Sequence, residues 1–377
     1  MIWLISAGLV LAVVPLVIFL INLGRLRPLT RSVGASAAKV SVLIAARNEE
    51  ETITSCLRNA LRGQGVEVEL LVMDDGSTDR TAELVEQFAA KEPRLRFLRS
   101  TPPPEGWSGK AHAYRQLAEA ARHPVLVFVG ADVRVRPDGL ARLARFLEES
   151  GAAFVSGVPE SEGRRLLEQL LLPLLQVLQM EWIPLGWMRS SRLPFLATGS
   201  NRLMVVRREA YLMTGGHAMI PGVLDEAVAL PRVFRAAGCG TDLFDGAEAA
   251  GGRLHYSNGA VWRAMQRTAG GVCGGLGFLL VWSVVLLLGQ VLPVVLMLGG
   301  LFSWFSVEPA VMRLAVAGAV AVYLARFLGM IRLRHPLVGV LFHPVGVLIL
   351  VAARWVAFLK RFLGIRVGWK GRKYPLR

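Results

Sequence analysis

The chain has 377 residues, 53% of them hydrophobic, and a formal net charge of +15 at pH 7. Length alone would suit two or three soluble domains, but every Asp and Glu except Glu308 lies between Glu49 and Glu248. That distribution excludes a wholly soluble chain and describes one α/β domain of roughly 200–230 residues between apolar, basic flanks. The positive charge sits beside apolar runs, so anionic membrane lipids are the expected partner and nucleic acid is not. Cys56, Cys239 and Cys273 are odd in number and lack metal-ligand spacing. They read as small buried hydrophobes in a reducing cytosol.

Residues 2–22 are uncharged and long enough to span a bilayer, with no cleavage site, so residues 1–24 are expected to form a transmembrane anchor. Arg25, Arg27 and Arg31 follow it, which places the next domain in the cytosol. After a polar linker, that domain is expected over 39–267. Its first three apolar runs, VSVLIAARNEE, VELLVMDDGSTD and VLVFVGADV, each end in acids and read as parallel strands. Helical stretches are expected at 49–62, 79–91 and 137–149. A ligand crevice is expected beyond the strand ends. Residues 163–188, interrupted by Pro173 and Pro184, read as a helix lying on the membrane face of the domain, or as a core helix.

Residues 270–364 read as transmembrane and interfacial helices. Spans are expected at 272–302 and 314–331, joined outside by a turn with Glu308 and Pro309. A re-entrant or interfacial stretch is expected at 336–364. It keeps the acid-free basic tail, 365–377, in the cytosol. The whole reads as a multi-pass protein of the plasma membrane with a cytosolic domain.

Several residues could carry chemistry. Adjacent acids at a strand end, Asp74 and Asp75, repel one another unless a cation or a donor-rich ligand is present. Asp75 could accept hydrogen bonds from a base or ribose. Gly-Ser-Thr after them also suits a plain helix-capping turn. In PPPEGWSGKAHA, Lys110 can neutralise a phosphate. The segment is not a P-loop, because Pro104 and Ala111 replace its first glycine and its magnesium-binding hydroxyl. Asp132 could ligate Mg2+ or Mn2+, since such ions keep waters and borrow substrate phosphates, but Gly130 stands where a second acid is expected. Asp225 and Glu226 open a helix, where they could serve as caps or as a general base. Arg253, Trp262, Arg263 and Arg267 cluster before the membrane, to hold a diphosphate or to anchor at headgroups.

Taken in order, A-A-R-N-E, D-D-G-S-T-D, G-W-S-G-K-A, the near D-x-D strand end and the acidic helix start resemble inverting family 2 glycosyltransferases of GT-A fold. The G-W-x-G-K segment, the W-x-G-R-x-Y-like tail (Trp369 to Tyr374) and the C-terminal apolar hairpin resemble the membrane-attached branch with hopanoid-associated and carotenoid-type enzymes. The resemblance implies a GT-A nucleotide-diphospho-sugar transferase domain with an N-terminal anchor and C-terminal membrane helices. It also implies nucleotide contacts from Ala46, Arg47, Glu49, Asp75 and Lys110, with Asp74 and Ala131 in the donor site, and a metal on Asp132. Asp225 and Glu226 would face the acceptor, and Arg263 and Arg267 the diphosphate or lipid. The family's spacing puts its base at Ala227; a register slip of one makes it Glu226. The implied reaction moves a sugar, expected from a UDP-sugar, to an isoprenoid, carotenoid, hopanoid or glycerolipid acceptor at the cytosolic face. The alternative is a degenerate nucleotide-sugar-binding partner or scaffold.

Overall fold

Apolar continuity, rather than alternation, marks the central strands, because helices cover both faces of the sheet they build. The computed structural model describes residues 2–30, 38–252, 257–272 and 275–374. A first helix, α1 (Ile2–Arg25), leads into β1 (Lys39–Ala46), α2 (Ile53–Leu61), β2 (Glu67–Asp74) and α3 (Thr81–Ala89). Next come β3 (Leu95–Arg99), α4 (Gly109–Ala120), β4 (Val125–Val129), β5 (Val133–Val135) and α5 (Gly139–Ser150). They are followed by β6 (Phe154–Ser156), β7 (Glu160–Ser161), α6 (Leu166–Trp182), α7 (Leu185–Ser190), β8 (Leu203–Arg207) and α8 (Arg208–Met213). After α9 (Glu226–Ala236), β9 (Thr241–Leu243) and β10 (Ala250–Gly252), the chain becomes mainly helical. It passes through α10 (Asn258–Val272), α11 (Leu276–Leu286), α12 (Leu292–Leu301), α13 (Pro309–Leu333), α14 (Leu337–Leu341) and α15 (His343–Phe362). A hairpin of β11 (Val367–Trp369) and β12 (Arg372–Tyr374) follows.

Seven strands form one sheet in the order β3-β2-β1-β4-β8-β6-β9. Strands β1 to β4 are mutually parallel, and β8 runs antiparallel to both β4 and β6. The α/β class read from the sequence is the class observed. Register places Ala46 opposite Asp74, so the acid-bearing ends of β1, β2 and β4 open on one edge. Val40, Val42 and Ile44 pack with residues of α2 and α5 on one face of the sheet. Leu43, Leu71 and Met73 pack with α4, α8 and α9 on the other. Each fully buried side chain of this kind contributes roughly 1.5–3 kcal/mol, which holds the edge rigid.

Among the described residues, three helices are long and apolar enough to cross a bilayer: Ile2–Arg25, Leu276–Leu301 and Pro309–Leu333. They associate the chain with a membrane. The second runs through a π turn at Leu287–Val291. There its backbone meets α1: a Cβ on Gly8 would lie 2.7 Å from Leu288 O, and one on Gly289 2.7 Å from Leu11 O. Glycine at both contacts lets the helices touch.

The Pro-interrupted segment forms α6 and α7. Pro173 stays within α6, whereas Pro184 precedes α7. The groups freed at that break are met by Asn22 of α1, which is fully buried. Its Nδ2 donates to the carbonyls of Met180 (2.6 Å) and Ile183 (2.9 Å), and its Oδ1 accepts from Leu185 N–H (2.8 Å). Helix α6 is covered by α1, α10, α14 and α15, so it is more enclosed than a helix resting on a membrane face.

Candidate active site

At the strand ends lies a cavity of about 320 Å³. Ala46, Arg47 and Glu49 reach it after β1, Asp75 after β2, and Gly130, Ala131 and Asp132 after β4. Lys110 of α4, Asn201, Arg202, Arg263 and Arg267 complete the wall, together with Gly368 and Lys370 of the terminal hairpin.

The two adjacent acids have different tasks. Asp74 does not line the cavity; its carboxylate accepts from the N–H groups of Gly76 and Ser77 at 3.2 Å. Gly76 has a φ of +71°, which glycine adopts readily, so Asp74 and Gly76 together shape the turn. Asp75 lines the cavity, and its Oδ2 accepts from Arg372 Nη1 at 2.6 Å.

The terminal hairpin folds over this edge, where sequence reasoning had expected only a basic tail. Lys370 Nζ pairs with Glu49 at 3.0 Å and donates to Asn48 O at 2.7 Å. Burial raises the Glu49 carboxyl, and Lys370 opposes that rise. Arg47, expected to touch a nucleotide, donates through Nε to Lys370 O (2.8 Å) and through Nη1 to the carbonyls of Asp75 and Gly76. Tyr374 OH accepts from Gly109 N–H at 3.3 Å. A Cβ on Gly109 would overlap both Arg372 Nη1 and Asp75 Oδ2, so the glycine before Lys110 exists to admit the hairpin. Lys370, Arg372 and Tyr374 were missed as site residues. The sequence signals for them are Gly109 and the W-x-G-R-x-Y-like tail.

Ser108 caps α4 by accepting from Ala111 N–H, which fixes Lys110 at the start of the helix. Lys110 Nζ lies 2.8 Å from Glu226 and donates to Asn201 O at 3.3 Å. Glu226 is 1% exposed and lines neither this cavity nor the next. Behind it, burial pushes His217 down to about 4, so its ring is neutral near pH 7. Asp225 occupies the cap position of α9. Burial pushes its carboxyl up to about 6, against the opposing charge of Arg354.

Asp132 Oδ2 accepts from Arg202 at 3.1 Å, an arginine the sequence reading overlooked. Among the described residues there is no group of three or more His, Cys, Asp or Glu able to hold a metal. A Cβ on Gly130 would stand 2.7 Å from Asp132 Oδ1.

A second cavity, of about 390 Å³, opens beside the first. Leu172, Leu175, Leu178 and Trp182 of α6, Met265 of α10, and Phe278 and Trp282 of α11 make it apolar. Asp225, Ala227, Arg232 and Arg354 stand at its polar end. Asn201, Arg202 and Arg267 line both cavities. Burial and the charge of Arg263 lower Arg267 to about 10, so it remains a cation at neutral pH. Trp262 packs against the helix core instead of either cavity, and Arg253 lies outside the described residues, as does Cys273.

Residues 41–199 match the family described as Glycosyl transferase family 2. Over those residues the chain is similar to that family. It is 26% identical over 215 residues to 4,4'-diaponeurosporenoate glycosyltransferase of Staphylococcus haemolyticus, covering 56% of each chain. It is 30% identical over 118 residues to beta-monoglucosyldiacylglycerol synthase of Nostoc sp., covering 31% of this chain and 25% of that one. The chain spans about half the length of the diaponeurosporenoate glycosyltransferases it matches. Among solved structures, mannosyltransferase PcManGT from Pyrobaculum calidifontis, in complex with GDP-Man and Mn2+, superposes with a TM-score of 0.50. That match has 16% identity and covers 95% of this chain and 98% of that one. The shared fold is GT-A, and the carotenoid-type resemblance is borne out among the relatives.

Proposed function

We propose that this family 2 domain transfers a sugar, with inversion, from a nucleoside diphosphate sugar to a lipid at the cytosolic membrane face. The observation that carries this is the meeting of two cavities at Asn201, Arg202 and Arg267, one polar at the strand ends and one apolar among α6, α10 and α11. The first suits a nucleotide and its phosphates, and the second suits a hydrocarbon chain. The names of the Staphylococcus and Nostoc relatives, which specify diaponeurosporenoate as the compound glycosylated and a monoglucosyldiacylglycerol as the product made, support a lipid acceptor. The donor is read as a UDP-sugar.

In this reading Asp225, on the acceptor cavity with its carboxyl near 6, takes the proton from an acceptor hydroxyl as that oxygen attacks the anomeric carbon. A carboxylate acceptor would attack without that transfer. Lys110, Arg263 and Arg267 neutralise the departing diphosphate. Glu226 holds Lys110 in place.

The residues around Asp132 fit a weakly held Mg2+ or Mn2+. Asp132 presents one carboxylate on the cavity wall, and among the described residues Arg202 engages only its Oδ2. Cations of this class complete their shell with water and substrate phosphates. Bound there, the ion would add positive charge beside the leaving group.

Two features support the orientation in this reading. Arg25 closes the first span and Arg27 follows it, and the β11–β12 hairpin rests on the strand ends. This supports a cytosolic domain with the tail on the same side. The test is incubation of the purified chain with labelled nucleotide sugars and total membrane lipid. Label entering the organic phase supports the proposal, and label remaining wholly in the aqueous phase refutes it.

A further inference from the structure

Asp75 is 3% exposed and lines the polar cavity. Its two oxygens differ. Oδ2 is held by Arg372 at 2.6 Å, while Oδ1 is buried with no hydrogen-bond partner among the described residues. An ionised carboxylate accepts hydrogen bonds on both oxygens, and a buried oxygen left unmet is costly. The unmet oxygen therefore awaits one donor from a ligand.

From this we infer that the C-terminal hairpin is part of the donor site and sets its choice of base. Arg372, as a positioning residue, leaves Asp75 able to receive a single N–H, and so selects uridine over guanosine diphosphates. The inference rests on the donor-site reading above. Uracil offers one ring N–H between two carbonyls, which Oδ1 alone can meet. Guanine offers two adjacent N–H groups that need both oxygens of one carboxylate, and Oδ2 is occupied. Adenine and cytosine bring a ring-nitrogen lone pair toward the carboxylate.

Three further contacts fix this arrangement. Arg372 Nη2 donates to Asp75 O at 3.1 Å. Tyr374 takes the Gly109 N–H, and Lys370 anchors the hairpin on Glu49. Register pairs Trp369 with Arg372 and Val367 with Tyr374, so one short hairpin delivers all three groups to the same edge.

The experiment is calorimetric titration of the full-length detergent-solubilised protein with UDP, GDP and ADP. Wild type, Arg372→Lys and Arg372→Met are compared, and the readout is the ratio of affinities within each protein. A site built for one hydrogen-bonding pattern rejects another strongly. Wild type is expected to prefer UDP by at least about tenfold, Arg372→Lys to keep part of that preference, and Arg372→Met to bring UDP and GDP within about threefold of each other. Equal affinity of wild type for UDP and GDP overturns the inference, and so does an unchanged ratio in Arg372→Met. Tighter UDP binding by Arg372→Met would also overturn it, by making the hairpin an obstruction instead of a wall. Binding of none of the three nucleotides by wild type would remove the donor-site reading itself.

Discussion

Lys110 Nζ lies 2.8 Å from the buried Glu226 carboxylate, so the acid that opens α9 holds the cation of α4 at the wall of the polar cavity. Glu226 is thereby committed to holding Lys110, and the cavity-lining acid of α9 is its neighbour Asp225. Replacing Glu226 with Gln should loosen Lys110, which is partly exposed. The carboxylate end of this pair is buried, so removing one partner costs more than losing a surface bridge, about 3–5 kcal/mol. The donor KM should therefore rise at least about tenfold, and the inflection in the pH dependence of turnover should move down, because the Glu226 charge helps to raise the neighbouring Asp225 carboxyl. Steady-state kinetics across a pH series checks both.

Asp225 should set that pH dependence. Its carboxyl sits at about 6 because burial disfavours the charged form, and only the deprotonated form can accept a proton. With a hydroxyl acceptor, kcat/KM should rise with pH through about 6 and level off above it. His217, pushed down to about 4, stays neutral over that range and adds no second inflection. Asp225→Asn should lose roughly 10²–10⁴ in rate and flatten the profile. A retained inflection in Asp225→Asn would assign the base elsewhere.

Gly109 is predicted to be intolerant of any side chain. A methyl group there overlaps the Arg372–Asp75 pair. Gly109→Ala should weaken UDP binding about ten- to a hundredfold, the value of a hydrogen bond to a charged group. Circular dichroism should show an unchanged fold, because Gly109 sits at the first turn of α4.

Gly130→Asp should strengthen the cation site. The added Cβ meets the movable Oδ1 end of Asp132 at 2.7 Å, and two carboxylates then face the cavity beside Arg202. The Mn2+ concentration giving half-maximal UDP binding should fall by about tenfold. Calorimetry with UDP over a Mn2+ series reads it.

What the sequence made legible was the architecture of the edge. Apolar runs that end in acids located β1, β2 and β4, because buried parallel strands must be continuous in apolar residues and must release their polar ends into loops. It did not separate Asp74 from Asp75. Successive residues at a strand end point opposite ways, so one step decides which acid shapes a turn and which faces a ligand. The partners Arg202 and Arg372 were hidden for another reason. Arg372 is 297 positions from Asp75, and no local pattern announces a contact at that distance. The same holds for Asn22, whose buried amide bridges to a helix break 158 residues away. From sequence it is one polar residue at the end of an apolar span.

The central claim is that a sugar passes from the polar cavity to a lipid in the apolar one, and Ala227 tests it most directly. Ala227 lines the apolar cavity and not the polar one, so Ala227→Trp fills the acceptor side alone. The measurement is glycolipid formed from a UDP-sugar by wild type and by this variant, with UDP affinity recorded for both. The account predicts product from wild type, loss of at least about 90% of it in Ala227→Trp, and equal UDP affinity. Undiminished transfer by Ala227→Trp would contradict the acceptor cavity. UDP binding without any transfer by wild type would contradict the enzyme itself, and leave a protein that binds nucleotide sugars without using them.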